Sequence, residues 1–223
     1  MEKNYDIVLF DLDGTLSESG EGIISSICKV LETQGEKIPD NKTLRKFIGP
    51  PMIDSLMSFC NMSRERSEYL TKLYREEYEN TGFLKTKLYE GVLELLKDLK
   101  NTGVFISTAT SRPEPSAIRA LKNFEIYDYF DVVVASPPEN PQIPKRELVK
   151  EAISEYKKMH KEEKSNLKVA MVGDTYFDMN GAKQAGVTAI GVTYGYGTKD
   201  ELINSGADIL VNNIEELRGY LIK

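Results

Sequence analysis

Asp11 and Asp13 stand two residues apart where the apolar run Ile7-Val8-Leu9-Phe10 ends. In an extended chain, side chains at i and i+2 point the same way, so both carboxylates face one spot just beyond a strand. In an open α/β sheet that spot, outside the carboxyl end of the strands, is where ligands bind. Gly14 follows, and glycine lets the chain leave at a backbone angle that other residues resist. Two anions held this close repel unless a cation or a shared proton lies between them. The competing reading is a plain strand-end turn, since Asp and Gly both favour turns.

A second strand end carries the same kind of signal. Val172-Gly173-Asp174 is followed by Asp178, near the start of an expected helix over 179–185. Residues at i and i+4 share a helix face, which turns both carboxylates toward the end of the sheet. For Asp178 the alternative is a capping or dipole role at the helix N-terminus. Oxygen donors supplemented by water suit Mg²⁺, and the absence of suitable His and Cys argues against zinc.

The remaining composition narrows the chemistry. His160 is the single histidine and lies in the charged stretch Lys157-Lys158-Met159-His160-Lys161-Glu162-Glu163-Lys164, a solvated segment. Ser-His-Asp and Cys-His mechanisms are thereby set aside. Cys28 and Cys60 form no Cys-x-x-Cys pattern and sit among apolar neighbours, as reduced core thiols do. The formal net charge of −6 disfavours a nucleic-acid surface and repels phosphorylated ligands. Any phosphate site therefore needs its own local positive charge. No apolar segment is long enough to span a bilayer, and residues 1–6 contain no export signal. A cytoplasmic protein, monomeric or weakly dimeric, is expected.

The elements that must position these residues alternate along most of the chain. After the first strand, helical spacing runs to about residue 85: Ile23, Ile24, Ile27, Val30 and Leu31, then Leu44, Phe47 and Ile48, then Ile53, Leu56 and Met57 beyond Gly49-Pro50-Pro51. A longer helix is expected over 64–80. From Gly91 onward helices and strands alternate, which implies βαβ units and a parallel sheet. Strands are expected at 104–106, 132–134, 169–172, 189–192 and 209–211. Thr198 and Glu201 have the spacing of a capping box. Pro137, Pro138, Pro141 and Pro144 mark one irregular loop. The fold class is α/β: a Rossmann-like parallel sheet core with a smaller all-helical cap inserted after the first strand.

The run Asp11-Leu12-Asp13-Gly14-Thr15-Leu16 after an apolar strand resembles the opening motif of the haloacid dehalogenase-like hydrolases, in their phosphatase branch. The layout is similar over essentially the whole chain. The resemblance implies a catalytic core of residues 1–16 and 88–223 and a cap of residues 17–87. It implies Asp11 as a nucleophile that forms an aspartyl-phosphate, and Asp13 as general acid and then base. Dehalogenases of the superfamily lack an acid at that second position, so its presence points to phosphatases or phosphomutases. Gly173-Asp174 and Asp178 match the acidic metal motif, which implies Asp174 as a ligand and Asp178 as a ligand or its support. Asp11, Asp13, Asp174 and Asp178 are together the expected Mg²⁺ set.

Thr110 matches the family's hydroxyl motif, with Thr108 as a rival by register; Ser111 and the backbone of Gly14 and Thr15 are expected to hold phosphate oxygens. Lys145 matches the family's lysine at a helix start, with Arg146 and Lys150 as competitors because the preceding loop is Pro-rich. Arg112 reads as a solvent-facing helix-start residue outside the site. Arg45, Lys46 and Gly49 are candidates for substrate contact from the cap; a solvated helix face is the alternative for the two cations. That segment, with Tyr194-Gly195-Tyr196-Gly197, resembles the phosphoglycolate phosphatase and 5′-nucleotidase-like subgroup.

A charge argument favours the same parts. A dianionic phosphate meeting ionised Asp11 is repelled by about 4 kcal/mol per unit charge at an effective dielectric near 20. A divalent cation and a nearby ammonium offset this. The expected function is hydrolysis of a small phosphomonoester such as phosphoglycolate or a nucleoside 5′-monophosphate. The rivals are a sugar phosphomutase on the same core and a catalytically idle binding protein.

Overall fold

The structure, a computed structural model, describes residues 2–138, 140, 142–161 and 166–223. Pro141 of the expected proline loop and Glu162, Glu163 and Lys164 of the solvated stretch lie outside these residues.

β1 (Ile7–Phe10) is buried at all four positions. An uninterrupted apolar run of this kind belongs in a parallel sheet covered on both faces. β2 (Ser17–Glu18) and β3 (Lys87–Leu88) then pair antiparallel, so the two crossings out of and back into the core lie side by side. Between them run α1 (Gly20–Thr33), α2 (Asn41–Arg45), α3 (Met52–Cys60), α4 (Arg64–Glu77) and a π-helical turn (Tyr78–Gly82). Ile27, Leu31, Phe47, Leu56 and Leu70 close a separate apolar cluster in this segment, and the free thiols Cys28 and Cys60 pack against it.

The rest of the chain builds the main sheet. It continues as α5 (Val92–Thr102), β4 (Phe105–Thr108), β5 (Thr110–Pro113), α6 (Glu114–Asn123), β6 (Ala135–Ser136) and α7 (Lys145–His160). β7 (Val169–Gly173), α8 (Tyr176–Ala185), β8 (Thr188–Val192), α9 (Lys199–Asn204), β9 (Ile209–Val211) and α10 (Ile214–Leu221) complete it. Five strands pair in parallel in the order β4-β1-β7-β8-β9. Alternate residues serve opposite faces, as the pleat requires. Val8 and Phe10 meet Leu95, Leu96 and Leu217 on one face, while Ile7 and Leu9 meet Leu148, Val149 and Met179 on the other.

One expected strand is displaced. Residues 132–134 form no ladder; Val132 makes a single bridge to Ser107, and the strand proper is β6 paired with β5. The Val134 carbonyl accepts from the Thr108 hydroxyl at 2.8 Å and from the Thr110 N–H at 3.3 Å. Thr198 and Glu201 do form a capping box at the start of α9. No helix among the described residues is long and apolar enough to cross a membrane.

Candidate active site

The chain leaves β1 for the cap and returns to β4 on one side of it, then crosses to β7 on the other. The carboxyl end of β1 is therefore a topological switch point, where an open crevice forms between diverging loops. Asp11 is the first residue past that end; its N–H donates to the Val172 carbonyl at 2.9 Å, and it is buried.

Lys145, the first residue of α7, is buried against it. Its ammonium donates to Asp11 Oδ1 and to the Ala109 carbonyl, both at 2.9 Å, and lies 2.8 Å from Asp178 Oδ1. A cation at a helix N-terminus opposes the helix dipole, so the carboxylates around it must stabilise it there. Arg146 and Lys150 both turn to Glu147 at the surface. Lys145 is the group at the site.

Asp11, Asp174 and Asp178 converge, with one carboxylate oxygen of each within 4.8 Å of the others and all three residues buried. Asp174 follows β7; its Oδ2 accepts from the Tyr196 N–H at 2.8 Å and its Oδ1 from the Thr15 hydroxyl at 3.3 Å. Asp178 has both of the roles weighed for it. Its Oδ2 accepts from the Thr175 N–H and hydroxyl as a capping box on α8, while Oδ1 faces Lys145. Burial pushes the Asp11 carboxyl up, Lys145 opposes that, and Asp178 and Asp13 add to it, leaving the group at about 7. Asp174 is raised well above the usual carboxylate range by burial and then by Asp178 and Asp11. Three buried carboxylates against one ammonium leave an excess of negative charge that a hard divalent cation would neutralise. The donor set fits such an ion.

The Asp13 carboxylate lies outside that group of oxygens. Arg112 takes it instead: Nε donates to Asp13 Oδ2 at 3.1 Å, and Nη2 to Oδ1 and to the Tyr78 hydroxyl, the latter at 2.8 Å. Tyr78 belongs to the cap and its hydroxyl in turn meets Thr86 Oγ1 at 3.1 Å. Burial alone would raise the Asp13 carboxyl, but the Arg112 charge and hydrogen bonds outweigh it and hold the group below its ordinary value. Arg112 is therefore a buried member of the site and not a solvent-facing helix start. A signal was present: Pro113 disfavours helix at the residue before it, so Arg112 stays extended and shares the face of Thr110 two residues earlier.

A cavity of about 470 Å³ opens above these residues, lined by Asp11, Asp13, Thr110, Ser111 and Arg112 from the core and by Phe47, Gly49, Pro50, Pro51, Tyr74, Arg75 and Tyr78 from the cap. The Thr110 hydroxyl accepts only a local bond from the Arg112 N–H at 3.2 Å, while Thr108 is engaged with Val134. The Ser111 hydroxyl is buried without a partner. Two expectations need correction. The Gly14 and Thr15 amides donate to the Ser17 and Leu12 carbonyls, so they close a local turn and do not face a phosphate. What Gly14 supplies is room: at φ +87° it brings the backbone so close that a Cβ would fall 2.1 Å from Asp174 Oδ2. Arg45 and Lys46 are exposed and outside the cavity, because α2 and the turn after it direct Leu44, Phe47 and Ile48 into the cap core. His160 stacks on Tyr156 at 4.2 Å, exposed and outside the cavity.

Residues 8–192 match the family model described as haloacid dehalogenase-like hydrolase. The chain belongs to the haloacid dehalogenase-like hydrolases. Within them it is an enzyme of the phosphatase kind. It is 33% identical over 198 residues to a 5′-nucleotidase of Pseudomonas aeruginosa, covering 89% of this chain and 87% of that one. It is 31% identical over 217 residues to the tyrosine-protein kinase PtkA of Mycobacterium tuberculosis, covering 96% and 72% respectively. A crystal structure of a predicted phosphatase from Clostridium acetobutylicum superposes with a TM-score of 0.87 at 34% identity, covering 96% of this chain and 97% of that one.

Proposed function

We propose that this hydrolase cleaves a small phosphomonoester with the help of Mg²⁺, through an aspartyl-phosphate on Asp11. The observation that carries the reading is the convergence of Asp11, Asp174 and Asp178, with Lys145 paired to Asp11 and Asp178 and Asp11 lining the cavity. Asp11, Asp174 and Asp178 would hold the Mg²⁺, which would supply charge neutralisation there.

This chain's own residues do the rest. An Asp11 carboxylate oxygen bonds to phosphorus while the ester P–O bond breaks. Lys145 donates to Asp11 and offsets charge building on the phosphoryl oxygens, with the Thr110 and Ser111 hydroxyls facing the same cavity. Asp13 passes a proton to the departing alkoxide. As a carboxylate it then takes a proton from the water that cleaves the acyl phosphate, releasing inorganic phosphate and regenerating Asp11. The cap, residues 17–87, covers the leaving group and excludes water until the ester is seated. The 5′-nucleotidase relative and the subgroup motifs support phosphoglycolate or a nucleoside 5′-monophosphate as the class of substrate.

The test is phosphate release from para-nitrophenyl phosphate and a panel of phosphometabolites, with and without Mg²⁺ and chelator. Turnover abolished by chelator and by Asp11→Asn is expected. Full activity in folded Asp11→Asn would overturn the nucleophile assignment.

A further inference from the structure

Helix α4 crosses the cap with Ser67, Leu70 and Thr71 buried and its charged residues largely outward. Thr71 and Arg75 are one turn apart, so they share a face. Both line the cavity that contains Asp11. Thr71 is 4% exposed and its hydroxyl has no hydrogen-bond partner. A helical threonine ordinarily returns its hydroxyl to the carbonyl one turn back, and this one does not.

Arg75 is unusual among the cavity's guanidinium groups. Arg112 is matched by Asp13, and Arg119 by Glu79. Arg75 is half-buried and has no acidic partner among the described residues. Burial pushes its guanidinium down, the direction expected of a cation without a counter-charge. Around it the cap presents Phe47, Pro51, Ile53 and Tyr74, so an entering ligand finds apolar walls and one open pair of donors.

We propose that Thr71 and Arg75 form a cap subsite for a second anionic group of the substrate, a carboxylate or a further phosphate carried on the leaving group. A guanidinium fork matches the two oxygens of such a group, and the threonine hydroxyl supplies a third donor beside it. A cavity of about 470 Å³ has room for a leaving group that reaches from Asp11 to α4. The subsite rests on the phosphatase reading above and narrows it: the preferred ester is anionic at both ends.

The experiment compares kcat/KM for para-carboxyphenyl phosphate, para-phenylene bisphosphate and the uncharged-body para-nitrophenyl phosphate. The readout is the ratio of each anionic-body ester to the nitrophenyl ester, which cancels any general loss of activity. Arg75→Gln should lower one or both ratios about tenfold, Thr71→Val by a smaller factor, and Arg75→Lys should restore part of the loss. Which ratio falls identifies carboxylate or phosphate as the recognised group. Unchanged ratios in folded Arg75→Gln overturn the subsite. Should no ester turn over with Mg²⁺ present, the hydrolase reading fails instead. Calorimetric binding of the same three compounds to Asp11→Asn, with and without Arg75→Gln, then reads the subsite alone, and equal affinities in the two proteins overturn it.

Discussion

Arg112 grips Asp13 from ninety-nine residues away with both arms of its guanidinium, and extends the same nitrogen to Tyr78 in the cap. One side chain thus joins the proposed acid–base group to the segment that covers the cavity. With Arg112 in place Asp13 is ionised, the form that takes a proton. The form that gives one needs Arg112 to loosen, and Arg112 is itself tied to Tyr78 of the cap.

Replacing this arginine should therefore change both pH behaviour and stability. In Arg112→Gln the burial of Asp13 is no longer opposed, so its carboxyl rises and, for a proton donor, the alkaline limb of the kcat/KM profile moves to higher pH. The stability sign follows from the depressed value in the folded protein. The pair's contribution is present above the ordinary carboxylate value near 4 and is lost as pH falls through the lower folded one. The variant lacks it at neutral pH as well. Breaking one side of a buried pair should lower the unfolding free energy by about 3 kcal/mol, read by urea denaturation at pH 7. Adding Asp13→Asn should return part of that loss. An alkaline limb that stays where it is would refute the coupling.

The metal-free carboxylate cluster should respond to pH in the opposite sense. Asp11, at about 7, and Asp174 are raised in the folded protein, so the folded chain holds protons that the unfolded chain releases. Their contribution is complete below the unfolded value near 4 and is lost as pH rises through the folded values. Chelated protein should thus lose thermal stability between about pH 4 and 7. Mg²⁺ competes with those protons, so the rise in Tm on adding it should grow over the same window. Asp174→Asn should abolish most of the Mg²⁺ response while making the chelated protein more stable at neutral pH. A Tm indifferent to Mg²⁺ at pH 8 would count against the ion site.

What could be read before folding was local. The apolar run of β1 and the acidic residues at the ends of β1 and β7 follow from short-range periodicity. So does the helical spacing of the cap. The Asp13 carboxylate turns away from that of Asp11 for a physical reason: the i, i+2 rule holds inside a strand, but β1 stops at Phe10 and the chain turns at once, with Asp13 bridging Ser17. Arg112 eluded the pattern because its partners, Asp13 and Tyr78, come from distant segments that only the tertiary fold brings to it. Arg45 and Lys46 carried the right charge at the end of a short helix that turns them to solvent. Thr71 and Arg75 gave no sequence signal, since a threonine and an arginine in a charged amphipathic helix are ordinary.

Lys145 should be worth more than its share of the site. Lys145→Met leaves three buried carboxylates without an organic cation, and uptake of protons becomes their main relief. We expect kcat to fall by about a thousandfold or more, in line with loss of a preorganised electrostatic group. Mg²⁺ should protect the variant against heat more than it protects the parent. Steady-state kinetics and thermal melts, each with and without chelator, check the two halves separately.

Gly181 supplies a sharper test of how that lysine is held. A glycine inside a helix costs about 1 kcal/mol relative to alanine, so helix propensity alone predicts that Gly181→Ala stabilises α8. The packing predicts the reverse. A Cβ at this position would lie 2.6 Å from Lys145 Cγ and 2.7 Å from its Cβ, atoms near the backbone that cannot swing aside. α7 and α8 must then move apart, and the ammonium is drawn from Asp11 and Asp178. Gly181→Ala should be less stable than the parent and lose most of its turnover, although residue 181 touches no substrate. A more stable and fully active variant would show that the close approach of α7 to α8 has no part in placing the charge.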